Sequence, residues 1–119
     1  MLRIDEAVLL DEDGFILEGA LSSIVWWSGD VLCAPAERLP WIDSVTRREV
    51  FEIAGQMGVE ASTRFAKPSD LIGCEIWGLS SLQGIRPVVD WIELGGAVGK
   101  PIRFEAFQKR LRMLAAALS

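Results

Sequence analysis

The chain has 119 residues, half of them hydrophobic, and a formal net charge of −5, which allows one domain with a real core and argues against general binding to phosphate backbones. The absence of histidine removes Ser-His-Asp and Cys-His nucleophile systems and nearly all catalytic zinc sites. No apolar run reaches the roughly 18 residues of a membrane span, and Asp5 and Glu6 break up the apolar opening that a signal peptide would keep together, so the expectation is a cytoplasmic protein with no membrane and no nucleic-acid partner.

Ala7 to Leu10 is a short apolar run closed by Asp11-Glu12-Asp13-Gly14, and Asp-Gly between apolar runs signals a hairpin. Phe15 to Leu17 is the returning strand. Ser23 to Trp27 is the next, with a turn at Ser28-Gly29-Asp30 and a return over Val31 to Ala34, so the first third reads as a β-meander. Pro35 to Pro40 is a loop. Asp43 or Ser44 then caps a helix to about Met57, in which Val50, Ile53, Ala54 and Met57 recur at helical spacing and Gly58 supplies the stop. Val59 to Phe65 predicts a strand, and Ser69 or Asp70 starts one helical turn. Cys74 to Leu79 and Ile85 to Ile92 predict two more strands, the second at an edge or a bend because of Pro87. Gly95, Gly96 and Gly99 make a flexible loop. In the final helix Phe104, Phe107, Leu111, Leu114 and Leu118 line one face, and Glu105 supports Lys109 four residues on. With no repeat or linker, this order predicts a single α+β domain over residues 1–119, built on a mixed or mostly antiparallel sheet with flanking helices.

The side chains with an obvious special chemistry have plain readings. Cys33 and Cys74 form no C-x-x-C pair and read as reduced, buried, small apolar residues. The five tryptophans supply core and interface area. Lys109, Arg110 and Arg112 read as a solvated helix face. Three stretches carry more. Glu18 to Ser23 (EGALSS) places a carboxylate, a poor strand residue, just ahead of the strand at Ser23. Pro40 to Arg47 (PWIDSVTR) puts hydroxyl residues at a helix start, where free N–H groups and about half a positive charge form an anion cup suited to phosphate. Gly78 to Val88 (GLSSLQGIRPV) ends a strand in two serines and a glycine-containing turn. Each alone is ordinary capping or turn chemistry.

Together, in this order, the three resemble the C-terminal half of the fold-type IV pyridoxal phosphate enzymes, the group of branched-chain and D-amino acid aminotransferases and aminodeoxychorismate lyase. Asp5 to Gly19 looks like the family hairpin leading to its cofactor glutamate. Ser44 to Val50 looks like its Gly-Ile-Thr-Arg helix start. Ser80 to Val88 looks most like the lyase form, Asn-Ser-Leu-x-Gly-Ile-x-Pro-Val. The resemblance implies the pseudo-barrel of the larger C-terminal domain and a site for pyridoxal 5'-phosphate. It implies that Glu18 bonds the pyridine nitrogen, Ile42 packs on the ring, the backbone of Val45 and the hydroxyl of Thr46 hold the phosphate, Ser81 adds a hydroxyl donor, and Ser80 lies on the substrate side. Ser23 and Ser80 stand where the family has Asn, and Ser44 where it has Gly.

The resemblance also places a Schiff-base lysine upstream of the hairpin. The lysines here are Lys67, Lys100 and Lys109, and none matches that segment. The expectation is therefore a chain without the lysine segment and N-terminal domain of the family, either a fragment of a longer enzyme or a reduced relative, which does not turn over alone and holds any cofactor non-covalently. The alternative is a non-catalytic ligand-binding or self-association module. A homodimer is expected under either, because an apolar face left by the N-terminal domain needs cover and one of Trp26 and Trp27 must meet either something outside the domain or a covering helix, the final helix being the plain alternative.

Overall fold

Adjacent tryptophans on one strand point to opposite sides, so Trp26 and Trp27 require a sheet covered on both faces. The computed structural model, which describes residues 8–10, 12–19, 23–36, 45–80, 84–88, 91 and 96–118, has that arrangement. The elements are β1 (Val8–Leu10), β2 (Ile16–Gly19), β3 (Ser23–Ser28), β4 (Val31–Pro35), α1 (Val45–Gln56), β5 (Ala61–Arg64), one 3-10 turn (Pro68–Leu71), β6 (Ile76–Ser80), β7 (Gly84–Pro87) and α2 (Phe104–Leu118). Five strands form one mixed sheet in the order β5-β4-β3-β6-β7, parallel between β4 and β5 and antiparallel elsewhere. The fold is α+β, as the sequence predicts. Among the described residues, no helix is long and apolar enough to cross a membrane.

The two helices cover one face. There Val25, Trp27, Leu32, Trp77 and Leu79 from the strands meet Val50, Ile53 and Ala54 of α1 and Phe107 and Leu111 of α2. Trp27, Trp77 and Phe107 pack edge to face with centroids 5.2–5.7 Å apart, and such pairs add about 0.5–1.5 kcal/mol each beyond the area they bury. Short pieces cover the other face. Ile24, Trp26, Cys33 and Ile76 meet Ile16 of β2, Ala66 and Leu71. Both tryptophans are thus buried within this chain, and neither needs a second copy.

The expected meander is two separate hairpins. β1 and β2 form their own two-stranded sheet, which lies across β3 and β4 rather than beside them. The reason is local. The Ile16 N–H donates to the carbonyl of Ala66 (2.7 Å), and the Ile16 side chain is buried in the second core. β2 also runs past Leu17 to Gly19, taking Glu18 into the ladder opposite Leu9. One extra β2 residue, Leu17, falls between the pairs Leu9–Glu18 and Leu10–Ile16, the signature of a bulge.

Other expectations shift at their edges. The strand expected over Val59–Phe65 is Ala61–Arg64, and that over Cys74–Leu79 is Ile76–Ser80. β7 is an edge strand, as Pro87 predicts. The glycine segment before α2 is not a free loop. Gly73 N–H donates to Ala97 O and Gly99 N–H to Cys74 O, both at 2.7 Å. A Cβ at Gly99 would sit 2.6 Å from the Gly73 carbonyl oxygen, so the close approach needs glycine.

Cys33 is buried, but Cys74 is only half-buried. Burial, and then the charge of Cys33, raises the Cys74 thiol above its ordinary value. Cys33 lies on β4 and Cys74 just ahead of β6, with β3 between them. Two strand spacings are roughly 9.5 Å, beyond the ~7 Å between Cα atoms that a disulfide can span.

Candidate functional site

Strand directions bring the described parts of the three singled-out stretches to one end of the sheet. The Ser23–Leu79 pair puts the start of β3 beside the end of β6, and Ser80 pairs with Gly84 at the start of β7. β4 is antiparallel to β3, so it finishes at this same end, at Pro35. β5 is parallel to β4 and follows α1 in the chain, so α1 must run back along the sheet with its N-terminus over the end of β4. β2 ends at Gly19, four residues before Ser23, a reach of at most roughly 14 Å.

The α1 N-terminus has an unusual charge pattern. Its first turn reads Val45-Thr46-Arg47-Arg48 and contains no acidic residue. Cations there oppose the helix dipole, which favours anions at this end. Thr46 is only 5% exposed, a hydroxyl residue in the first turn, where the backbone N–H groups have no partner within the helix itself. Val45, the first residue of α1, is 55% exposed. The first turn thus offers backbone N–H groups and one buried hydroxyl residue, a composition that fits a phosphate.

Of the residues singled out from sequence, Val45 and Thr46 open α1, Ser80 is the half-buried last residue of β6, and Glu18 lies in β2 beside the bulge. Ile42 and Ser81 lie outside the described residues, as do Ser44 and Trp41. An open groove of about 720 Å³ lies elsewhere, along α2 beside Ile85, Phe104, Gln108 and Met113, and none of Val45, Thr46 or Ser80 lines it.

The opposite end of the sheet holds a group that sequence reasoning missed. Glu75, 4% exposed, accepts the Trp77 indole N–H (2.9 Å) and the Arg103 backbone N–H (3.0 and 3.2 Å to its two oxygens) at the mouth of α2. The Arg103 guanidinium lies 3.6 Å from Glu75, 3.3 Å from Asp30 and 4.8 Å above the Trp27 ring. Glu75 shares strand parity with Trp77, so a core-facing carboxylate was legible as one needing partners.

The family model described as amino-transferase class IV matches residues 1–91. This chain belongs to the class IV aminotransferase family. Among its relatives, the aminodeoxychorismate lyase of Bacillus subtilis is 34% identical over 83 residues, covering 69% of this chain and 28% of that protein. The structure of 4-amino-4-deoxychorismate lyase from Pseudomonas aeruginosa superposes with a TM-score of 0.80 at 27% identity, over 90% of this chain and 39% of that one. An aminotransferase from Brucella abortus, solved with the cofactor PLP bound, shares the fold at a TM-score of 0.81 and 18% identity, over 93% of this chain and 39% of its own. The chain thus spans well under half the length of the class IV proteins it matches.

Proposed function

We propose that this chain is the phosphate-holding part of a class IV aminotransferase or aminodeoxychorismate lyase-like unit, binding pyridoxal 5'-phosphate without a covalent link and not turning over by itself. The observation that carries this reading is the first turn of α1. It has no acid, two arginines and a buried Thr46, and it sits at the same sheet end as Ser80 and Gly84. In this reading the Val45 N–H and the Thr46 hydroxyl hold the phosphate, with Ser81 as a further donor. Glu18 keeps the pyridine nitrogen protonated, Ile42 packs on the ring, and Ser80 faces the substrate. When bound, the cofactor supplies an electron sink for carbanionic chemistry, and a protonated ring nitrogen strengthens it.

The absence of a covalent link rests on the lysines. Lys67 lies over the Phe15 ring (5.1 Å to its centroid) and leads into the 3-10 turn. Lys109 is exposed on α2, and Lys100 is exposed ahead of it. None is among the residues assigned to the site. The test is to titrate pyridoxal phosphate, reduce with borohydride and weigh the intact protein. Saturable binding competed by inorganic phosphate, with no stoichiometric adduct, is the expected result. An adduct mapped to one lysine would overturn the non-covalent reading, and no saturable binding would overturn the site.

The same reading includes a homodimer and a cytoplasmic home. Exposed Phe65, Ile102 and Met113 support self-association, and free Cys33 and Cys74 suit a reducing compartment. Light scattering over a dilution series checks the dimer: a monomer at high micromolar concentration removes it.

A further inference from the structure

The start of β7 is tied to a helix far along the chain. The Ile85 N–H donates to Gln108 Oε1 of α2 at 2.9 Å. The neighbouring Gly84 has φ +69°, a conformation that favours glycine, and a Cβ there would sit 2.8 Å from the same Gln108 oxygen. Gly84 pairs with Ser80 across the ladder. Thus a single amide side chain, half-buried and 23 residues downstream of Ile85, fits against the glycine and accepts the first free N–H of β7.

We infer that Gln108 is a positioning residue for the anion-binding end of the sheet: its amide oxygen fixes the start of β7 and, through the Gly84–Ser80 pair, the end of β6 that leads in sequence to Ser81, the further hydroxyl donor of the proposed phosphate site. This rests on the reading of that end as a phosphate site. The physical reason is that edge strands are held from one side only. Among the described residues β7 has β6 on one side and no strand on the other, and Gln108 supplies an acceptor on that open side.

The test compares three chains for affinity toward inorganic phosphate and pyridoxal phosphate: wild type, Gln108→Met and Gln108→Glu. Methionine keeps length, packing and helix propensity but removes the acceptor, whereas glutamate retains an acceptor oxygen. All are measured where circular dichroism shows them folded, with amide exchange at Ile85 followed in parallel. The expected result is a loss of roughly tenfold in phosphate affinity for Gln108→Met, the weight of one good hydrogen bond. Gln108→Glu should stay within about twofold of wild type, and Ile85 exchange should quicken in the methionine variant alone. Unchanged affinity in Gln108→Met, or equal losses in both variants, would overturn the inference while leaving the phosphate site standing. Wild type that binds neither ligand overturns both. If Gln108→Met does not fold, Gly84→Ala, which pushes the amide away, serves instead: normal phosphate affinity in that variant would also overturn the inference.

Discussion

The two helices begin at opposite ends of the same sheet, and their first turns are treated in opposite ways. The mouth of α2 is filled from within. Glu75 places a buried carboxylate on the Arg103 N–H, Glu105 adds a second acid in the first turn, and Trp77 and Arg103 hold the carboxylate in place. The mouth of α1 has no acid in its first turn and carries Arg47 and Arg48 instead. Helix N-termini favour negative charge by 0.3–1 kcal/mol or more. One end of this sheet has that charge built in, and among the described residues the first turn of the other has none. The contrast supports the proposal that the α1 end receives a ligand anion while the α2 end is the fixed anchor.

The largest expected effect is at the anchor. Glu75→Ala strips the acceptor from the Trp77 indole and the Arg103 N–H and leaves the guanidinium without its buried partner. Breaking a buried pair typically costs about 3–5 kcal/mol. Arg103 is partly exposed and keeps Asp30, so the lower end, about 3 kcal/mol, is expected from the urea midpoint at unchanged slope. Glu75→Gln keeps shape and one acceptor and should lose about half as much. A loss below about 1 kcal/mol for Glu75→Ala would mean that the α2 mouth is no more built than that of α1.

Next comes the receiving end. Thr46→Val keeps the shape of the side chain and removes its hydroxyl. Hydrogen bonds to charged groups are worth about 1.5–3 kcal/mol, so phosphate and pyridoxal phosphate should bind roughly tenfold to a hundredfold more weakly. Stability without ligand should move by less than about 1 kcal/mol. Equal affinities in a calorimetric titration would take Thr46 out of the site and dissolve the contrast between the ends.

Much of this contrast was visible in the residues, for reasons that differ by element. α1 and α2 follow from apolar residues at helical spacing, and β3–β4 from the tryptophan pair and the Ser-Gly-Asp turn, because both are local patterns. The stacking of the β1–β2 hairpin was not legible, since it depends on Ile16 meeting Ala66, fifty residues away. The late start of β6 has a similar cause. Cys74 is held by the strap from Gly99 and Glu75 by the mouth of α2, so the ladder with β3 begins only at Ile76 and that with β7 at Trp77. Thr46 could be proposed from its place at a helix start. Glu75 was passed over because charged residues are read as exposed by default, although its parity with Trp77 turned it inward. Gln108 left no trace in the sequence. A polar residue on an amphipathic helix looks solvated until the fold shows which backbone N–H it accepts.

The smallest effect is the most discriminating, because it gives α1 what α2 already has. Val45 is the first residue of α1, and its side chain is mostly exposed, so Val45→Glu removes little packing and adds a carboxylate to a first turn that lacks one. On dipole grounds the ligand-free protein should gain about 0.3–1 kcal/mol. The same charge repels an incoming phosphate, so affinity should fall several-fold at low salt and recover in part at high salt, as surface electrostatics are screened. The two measurements move in opposite directions only if the α1 mouth both lacks a native anion and receives one from solution. A gain in stability with unchanged phosphate affinity would show an ordinary uncapped helix with the ligand site elsewhere. A loss of stability would show that other groups already neutralise this end, in which case Arg47 and Arg48 serve those groups rather than a ligand.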